Sequence, residues 1–172
     1  MASNIEIKAR LPDAHSTRLL AERISDSGPT EIKQRDTFFM CPNGRLKLRE
    51  FSSTHGELIY YRREDTLGTK QSDYLISPTD SPATLLTVLS AAFKTTQVVT
   101  KTRTLYLVGQ TRIHLDEVVG LGSFLELEVV LHPEQSPLEG HEIARNLMAS
   151  LEIDESQLID CAFADLLSRT YA

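Results

Sequence analysis

At 172 residues, with 41% hydrophobic and 24% charged residues, the chain has the size and make-up of one globular domain with a core of its own, taken as 1–172. A net charge of −6 argues against a nucleic-acid binder, which needs Lys and Arg clustered on its surface against the phosphate backbone. It leaves room for a small anion held in an internal basic site.

No apolar stretch is long enough to span a membrane, and Met1-Ala2-Ser3-Asn4 leads straight into a strand with no room for a signal peptide. Cys41 and Cys161 stand far apart with no metal-ligand spacing, so they read as reduced thiols of a cytoplasmic protein.

Residues 4–11 alternate, with Asn4, Glu6, Lys8 and Arg10 on one face and Ile5, Ile7, Ala9 and Leu11 on the other. Asp13 then predicts the cap of a helix running to about Ser27, buried through Leu19, Leu20 and Ile24 and closed by Gly28-Pro29. Asp36-Thr37-Phe38-Phe39 is extended, Pro42-Asn43-Gly44 is a turn, and residues 45–51 leave it as a strand. That strand sorts Arg45, Lys47 and Arg49 against Leu46 and Leu48. Three cations on one face call for water or an anion opposite them.

Gly56 reverses the chain into a strand over 57–64, and after Leu67-Gly68-Thr69 a short strand puts Lys70, Ser72 and Tyr74 on one face. Ser81-Pro82 opens a helix to about Lys94 with Leu85, Leu86, Leu89 and Phe93 inward. The strand 98–108 carries Lys101 and Arg103 in step. Ser136-Pro137 starts a helix to about Leu151, and Asp154 caps a last one whose Leu158, Ile159, Ala162, Phe163, Leu166 and Leu167 recur at helical spacing.

Between these lies the hairpin 112–131. Its first arm puts Arg112, His114 and Asp116 on one side, its second puts Glu126 and Glu128 on one side, and Gly120-Leu121-Gly122 turns between them. Glu126 and Glu128 point the same way roughly 6–7 Å apart, and their repulsion grows as the site dries. A cation bridging them and Asp116 removes it, and hard oxygen donors suit Mg²⁺ or Mn²⁺. The plainer alternative is an acidic strand face turned to water. His114 beside Asp116 reads equally as a structural histidine.

In the strands the parity opposite the charged one is largely aliphatic, most clearly in the first strand and in the two arms of the hairpin 112–131. A closed barrel with a polar inside, a greasy outside and helices laid over it satisfies all of them and removes exposed edges. The alternative is a flat sheet, half solvated, with scattered ion pairs. Inside a barrel, unpaired charge costs several kcal/mol per ion, and a polyphosphate chelated to a divalent cation would neutralise both signs.

These residues resemble the CYTH superfamily, the triphosphate tunnel metalloenzymes, and most closely its class IV adenylyl cyclase branch. The likeness is carried by Asn4-Ile-Glu-Ile-Lys-Ala-Arg10, Asp36-Thr-Phe-Phe39, Gly44-Arg-Leu-Lys-Leu-Arg-Glu50, Leu58-Ile-Tyr-Tyr-Arg-Arg63, Lys70-Gln-Ser-Asp-Tyr74, Lys101-Thr-Arg103 and the run from His114 to Glu128. It implies an α+β fold, a closed eight-stranded antiparallel tunnel, that binds a small-molecule triphosphate (tripolyphosphate, ATP or another organic triphosphate) with Mg²⁺ or Mn²⁺.

By position the resemblance makes Glu6, Glu126 and Glu128 metal ligands, and Asp116 one directly or through water. Glu126, Glu128 and Asp116 thereby form the catalytic set. Lys8, Lys47, Arg49, Arg103 and either Arg62 or, by register, Arg63 match its phosphate-holding cations, with Lys70 and Lys101 as further candidates. Asn4 departs from the family's Glu-x-Glu-x-Lys and offers a neutral oxygen where a carboxylate is expected; Phe163 stands where a tyrosine is expected. The implied activity is metal-assisted phosphoryl transfer that hydrolyses the triphosphate. The alternatives are a cyclase turning ATP into cyclic AMP and pyrophosphate, and a polyphosphate-binding module without turnover.

Overall fold

The structure, a computed structural model, describes residues 2–170. Residues 1, 171 and 172, part of the expected domain and, for residue 1, of the signal-peptide reading, lie outside the described residues. Eight strands form the barrel: β1 (Ala2–Arg10), β2 (Ser27–Phe39), β3 (Arg45–Ser52), β4 (His55–Arg63), β5 (Lys70–Thr79), β6 (Thr95–Val108), β7 (Thr111–Val118) and β8 (Gly122–Val130). They close in the order β1-β5-β4-β3-β2-β6-β7-β8, antiparallel at every seam. Closure follows from β1, which pairs with β5 on one side and β8 on the other.

The predicted parity holds. Ile5, Ile7 and Ala9 of β1 and Leu125, Leu127 and Val129 of β8 point outward, yet each is at most 1% exposed, because helices cover them. Full burial of such side chains contributes about 1.5–3 kcal/mol each, which is what holds the helices on. Helix α1 (Ala14–Ile24) and helix α3 (Pro137–Ser150) lie over this wall, and α2 (Pro82–Ala92) packs Leu89 on Phe39 and Leu48. Gly140 lets α3 come close: a Cβ there would meet Ile5 and Leu131 at 2.6 Å. Ser136 caps α3 reciprocally with Glu139, and Asp13 caps α1 by accepting from the His15 and Ser16 N–H groups.

Four expectations are corrected. Helix α1 stops at Ile24, and residues 28–29 lie inside β2, where Gly28 (φ +112°) would put a Cβ 2.7 Å from the Leu105 carbonyl. Leu19 is 53% exposed, because the row facing β6 and β7 is Thr17 and Ala21, with Leu20 and Ile24 at its flank. Phe93 falls past the end of α2 as its C-cap and is turned out.

Finally, Asp154 caps only a single 3₁₀ turn, Glu155–Gln157, and the last helix α4 begins at Phe163 (Phe163–Thr170). The β1–β5 ladder ends at Glu6 and Lys70, which leaves the end of β1 unpaired on that side. Leu158 bridges to Ala9 and the Ile159 N–H donates to the Lys8 carbonyl at 2.9 Å, satisfying backbone that a continuous helix would have orphaned.

Candidate active site inside the barrel

The inward side chains line a cavity of about 340 Å³. From β1 come Asn4, Glu6 and Lys8; from β3, Lys47 and Arg49; from β4, Glu57, Tyr61 and Arg63. From β6 come Lys101 and Arg103, from β7 Arg112 and His114, and from β8 Glu126 and Glu128. The expected metal-binding and phosphate-binding residues therefore meet in one space, with three exceptions. Arg62 is on the outward parity of β4 and is exposed, so Arg63 is the inward arginine. Lys70 donates to the Ile159 and Asp160 carbonyls at 3.2 and 2.7 Å, tying down the 158–162 crossing instead of facing the cavity. Asp116 lies one layer behind the wall.

That layer matters. Asp116 accepts from Arg103 through Nε and Nη2 at 2.7 Å each and from Lys101 Nζ at 2.7 Å. Its side chain has no solvent exposure. Burial alone would raise its pKa, but Arg103 and Lys101 outweigh that and hold the carboxyl down at about 2. Both its oxygens are thus committed to cations.

A second clamp of the same form was missed from sequence. Asp36, which lines the cavity from β2, accepts Arg49 Nε and Nη2 at 2.8 Å each and Lys47 Nζ at 2.9 Å. Arg49 and Lys47 hold this carboxyl far below the usual range despite its burial. Burial, with Arg49 adding repulsion, pulls the Lys47 ammonium down to about 8, and Asp36 only partly offsets this. The signal was available: a hairpin turning at 40–44 sets Asp36 across from Arg49.

Glu126 sits between cations, 2.8 Å from Lys8 Nζ and in contact with Arg103. Glu6 pairs with Arg63, and Glu128 is 3.5 Å from Arg112. Arg45, which shares a strand face with Lys47 and Arg49, bridges Asp65 and Asp165 where β3 starts. One end of the cavity is lined by Phe163, whose ring packs edge-on against Phe124 and lies 3.7 Å from Lys8 Nζ. Phe163 was expected in a helix's apolar stripe, at a position where the resemblance has a tyrosine.

His114, Glu126 and Glu128 bring one ligand atom each within 4.8 Å of one another. Burial and the nearby Arg103 push His114 down to about 4, leaving a neutral imidazole with a free lone pair at neutral pH. Asn4 Oδ1, also buried on the wall, has no hydrogen-bond partner. Two carboxylates and an imidazole form a donor set that fits a divalent ion, and Asn4 adds an unpaired amide oxygen elsewhere on the same wall. No helix among the described residues is long and apolar enough to cross a membrane.

A family model for the CYTH domain matches residues 2–161. Among solved structures, the PH1012 protein of Pyrococcus horikoshii superposes with a TM-score of 0.85 at 22% identity, covering 95% of this chain and 98% of that one. A candidate adenylate cyclase of Vibrio parahaemolyticus gives 0.81 at 18%, over 96% and 97% of the two chains. A candidate adenylyl cyclase of Hippeastrum, described as having a dominant triphosphatase activity, gives 0.68 at 18%, over 98% and 96%. At these identities the likeness is one of fold. No curated protein matches the sequence.

Proposed function

The chain belongs to the CYTH family, and from that premise we propose that it holds a triphosphate with Mg²⁺ or Mn²⁺ inside its barrel and hydrolyses it by phosphoryl transfer. The single domain would span 1–172, work in the cytoplasm, where Cys41 and Cys161 stay reduced, and engage neither nucleic acid nor membrane.

The observation that carries this reading is the charge of the wall. Seven cations (Lys8, Lys47, Arg49, Arg63, Lys101, Arg103, Arg112) face five carboxylates (Glu6, Asp36, Glu57, Glu126, Glu128), with Asp116 offsetting one more charge from behind. The wall is therefore positive by one or two charges. An organic triphosphate carries about four negative charges at neutral pH, and chelation of one divalent ion leaves about two. A polyphosphate–metal complex thus matches the cavity in sign and in size of charge, whereas a neutral ligand would leave the surplus charge of the wall uncompensated.

Arg49 and Lys47, oriented by Asp36, and Arg103, oriented by Asp116, present N–H donors at fixed positions for the phosphate oxygens. Arg63 and Lys8, held at rest by Glu6 and Glu126, exchange those carboxylates for phosphate. Glu126 and Glu128, with Glu6, are the acidic residues on the wall that would hold the ion. A bound divalent ion supplies polarisation of a phosphate oxygen and a water of lowered pKa. Phe163 at the start of α4 packs against one end of the cavity and narrows the access of bulk water there.

The test is incubation with tripolyphosphate and with ATP, each with Mg²⁺ or Mn²⁺. Orthophosphate release is expected. Cyclic AMP with pyrophosphate would replace hydrolysis by cyclisation, and binding without turnover would leave a polyphosphate-binding module. Glu126→Ala and Glu128→Ala should each abolish turnover with the circular dichroism spectrum unchanged; full activity in both would overturn the site.

A further inference from the structure

We propose that His114 is an inner-sphere ligand of the tunnel's divalent ion, in the place that the resemblance gives to Asp116, so that the site is a mixed nitrogen–oxygen site. The inference rests on the functional reading above and adds a ligand and a metal preference to it.

The position of Asp116 is the first argument. Asp116 does not line the cavity but lies behind Arg103 and Lys101, which hold both of its oxygens in three contacts of 2.7 Å, whereas Glu126, though also paired with Lys8 and Arg103, does line it. To reach an ion in the lumen, Asp116 would have to abandon two buried cations. His114, two residues earlier on β7, is registered directly across from Glu126. Its side chain is 5% exposed and lines the cavity.

The second argument is that His114 Nδ1 is buried with no hydrogen-bond partner. It sits 3.9 Å from Glu126 Oε2 and 3.8 Å from Glu128 Oε1. Both separations are too long for a hydrogen bond. Two donors each about 2.0–2.2 Å from a shared ion lie roughly 3–4.3 Å apart, depending on the angle between them. The observed spacings are those of ligands around an ion, not of a satisfied structural histidine. An unpaired ring nitrogen in a dry wall is otherwise costly.

A chemical consequence follows. Mg²⁺ prefers oxygen and retains its waters, whereas imidazole nitrogen favours transition ions. With one nitrogen among its ligands, the protein should therefore bind Mn²⁺ more tightly than Mg²⁺.

The experiment is electron spin echo envelope modulation on the full chain loaded with Mn²⁺ alone, with no substrate present. Expected are ¹⁴N modulations from a bound imidazole, replaced by ¹⁵N modulations when the protein is grown with ¹⁵N-histidine. This arm needs no variant and so does not depend on one folding. In His114→Gln the nitrogen signal should vanish and the Mn²⁺ affinity fall at least about tenfold. Bound Mn²⁺ without nitrogen modulation, or a signal that survives in His114→Gln, overturns the assignment. If orthophosphate release with Mn²⁺ persists alongside such a result, the histidine assignment alone fails. If neither Mn²⁺ binding nor phosphate release is found, the functional reading fails with it.

Discussion

Two Lys-x-Arg pairs on the tunnel wall, Lys47 with Arg49 on β3 and Lys101 with Arg103 on β6, are each clamped by one aspartate on a neighbouring strand, with the arginine gripped by both carboxylate oxygens. The two clamps differ in wetness. Lys47 and Arg49 are 14% and 13% accessible at their side chains, Lys101 and Arg103 only 3% and 5%. The Asp36 clamp borders the lumen, so its cations can share their N–H groups with a ligand or with water. The Asp116 clamp is dry, and the Arg103 Nη2 that it holds also contacts Glu126. The same three-residue device presents charge to the cavity in both places, and in the dry one it also fixes the carboxylate beside it.

The largest effect expected from breaking this contrast is at the dry clamp. Asp116→Asn strands two buried cations and should destabilise the fold by about 3–5 kcal/mol in chemical denaturation. Asp36→Asn should lose less, about 1–3 kcal/mol, since Lys47 and Arg49 can turn to lumen water. Equal losses at the two aspartates would refute the distinction.

Protonation sharpens it further. With the Lys47 ammonium pulled down to about 8 from 10.5 by burial and by Arg49, triphosphate affinity measured by titration calorimetry should weaken as pH rises through about 8. Lys47→Arg should flatten that step. Between about pH 8 and 10.5 the unfolded chain holds the proton that the folded chain has released. This residue's contribution to stability therefore rises with pH over that window, opposite in sign to its effect on binding. The smallest effect belongs to the outer surface. Arg62→Ala should lie within about 0.5 kcal/mol of the parent, whereas Arg63→Ala leaves Glu6 without its partner and should also weaken triphosphate binding.

Much of the site was legible in the chain because strand geometry has period two. Glu6 with Lys8, Lys47 with Arg49, Lys101 with Arg103 and Glu126 with Glu128 could be assigned to one face each, and all eight line the cavity. What parity could not say was depth. Asp116 and His114 share a face and are two residues apart, yet one is sealed behind Arg103 and the other opens on the lumen. Lys70 shares its parity with Ser72 and Tyr74, but lies where the 158–162 crossing offers carbonyl oxygens, and its ammonium turns to them. At 158–162 the apolar spacing promised a helix, and an unpaired stretch of β1 overrode it.

By itself, then, the sequence determined that charged and aliphatic faces alternate, most clearly on β1, β7 and β8, because side-chain direction is a local property of an extended backbone. From that came the inverted barrel and the roster of its inner wall. Only the tertiary structure decided which carboxylates grip cations and which face open space, and that Phe163 would pack against one end of the cavity. Those outcomes depend on curvature, register and crossing segments that bring together residues distant in the chain, and no local pattern encodes them.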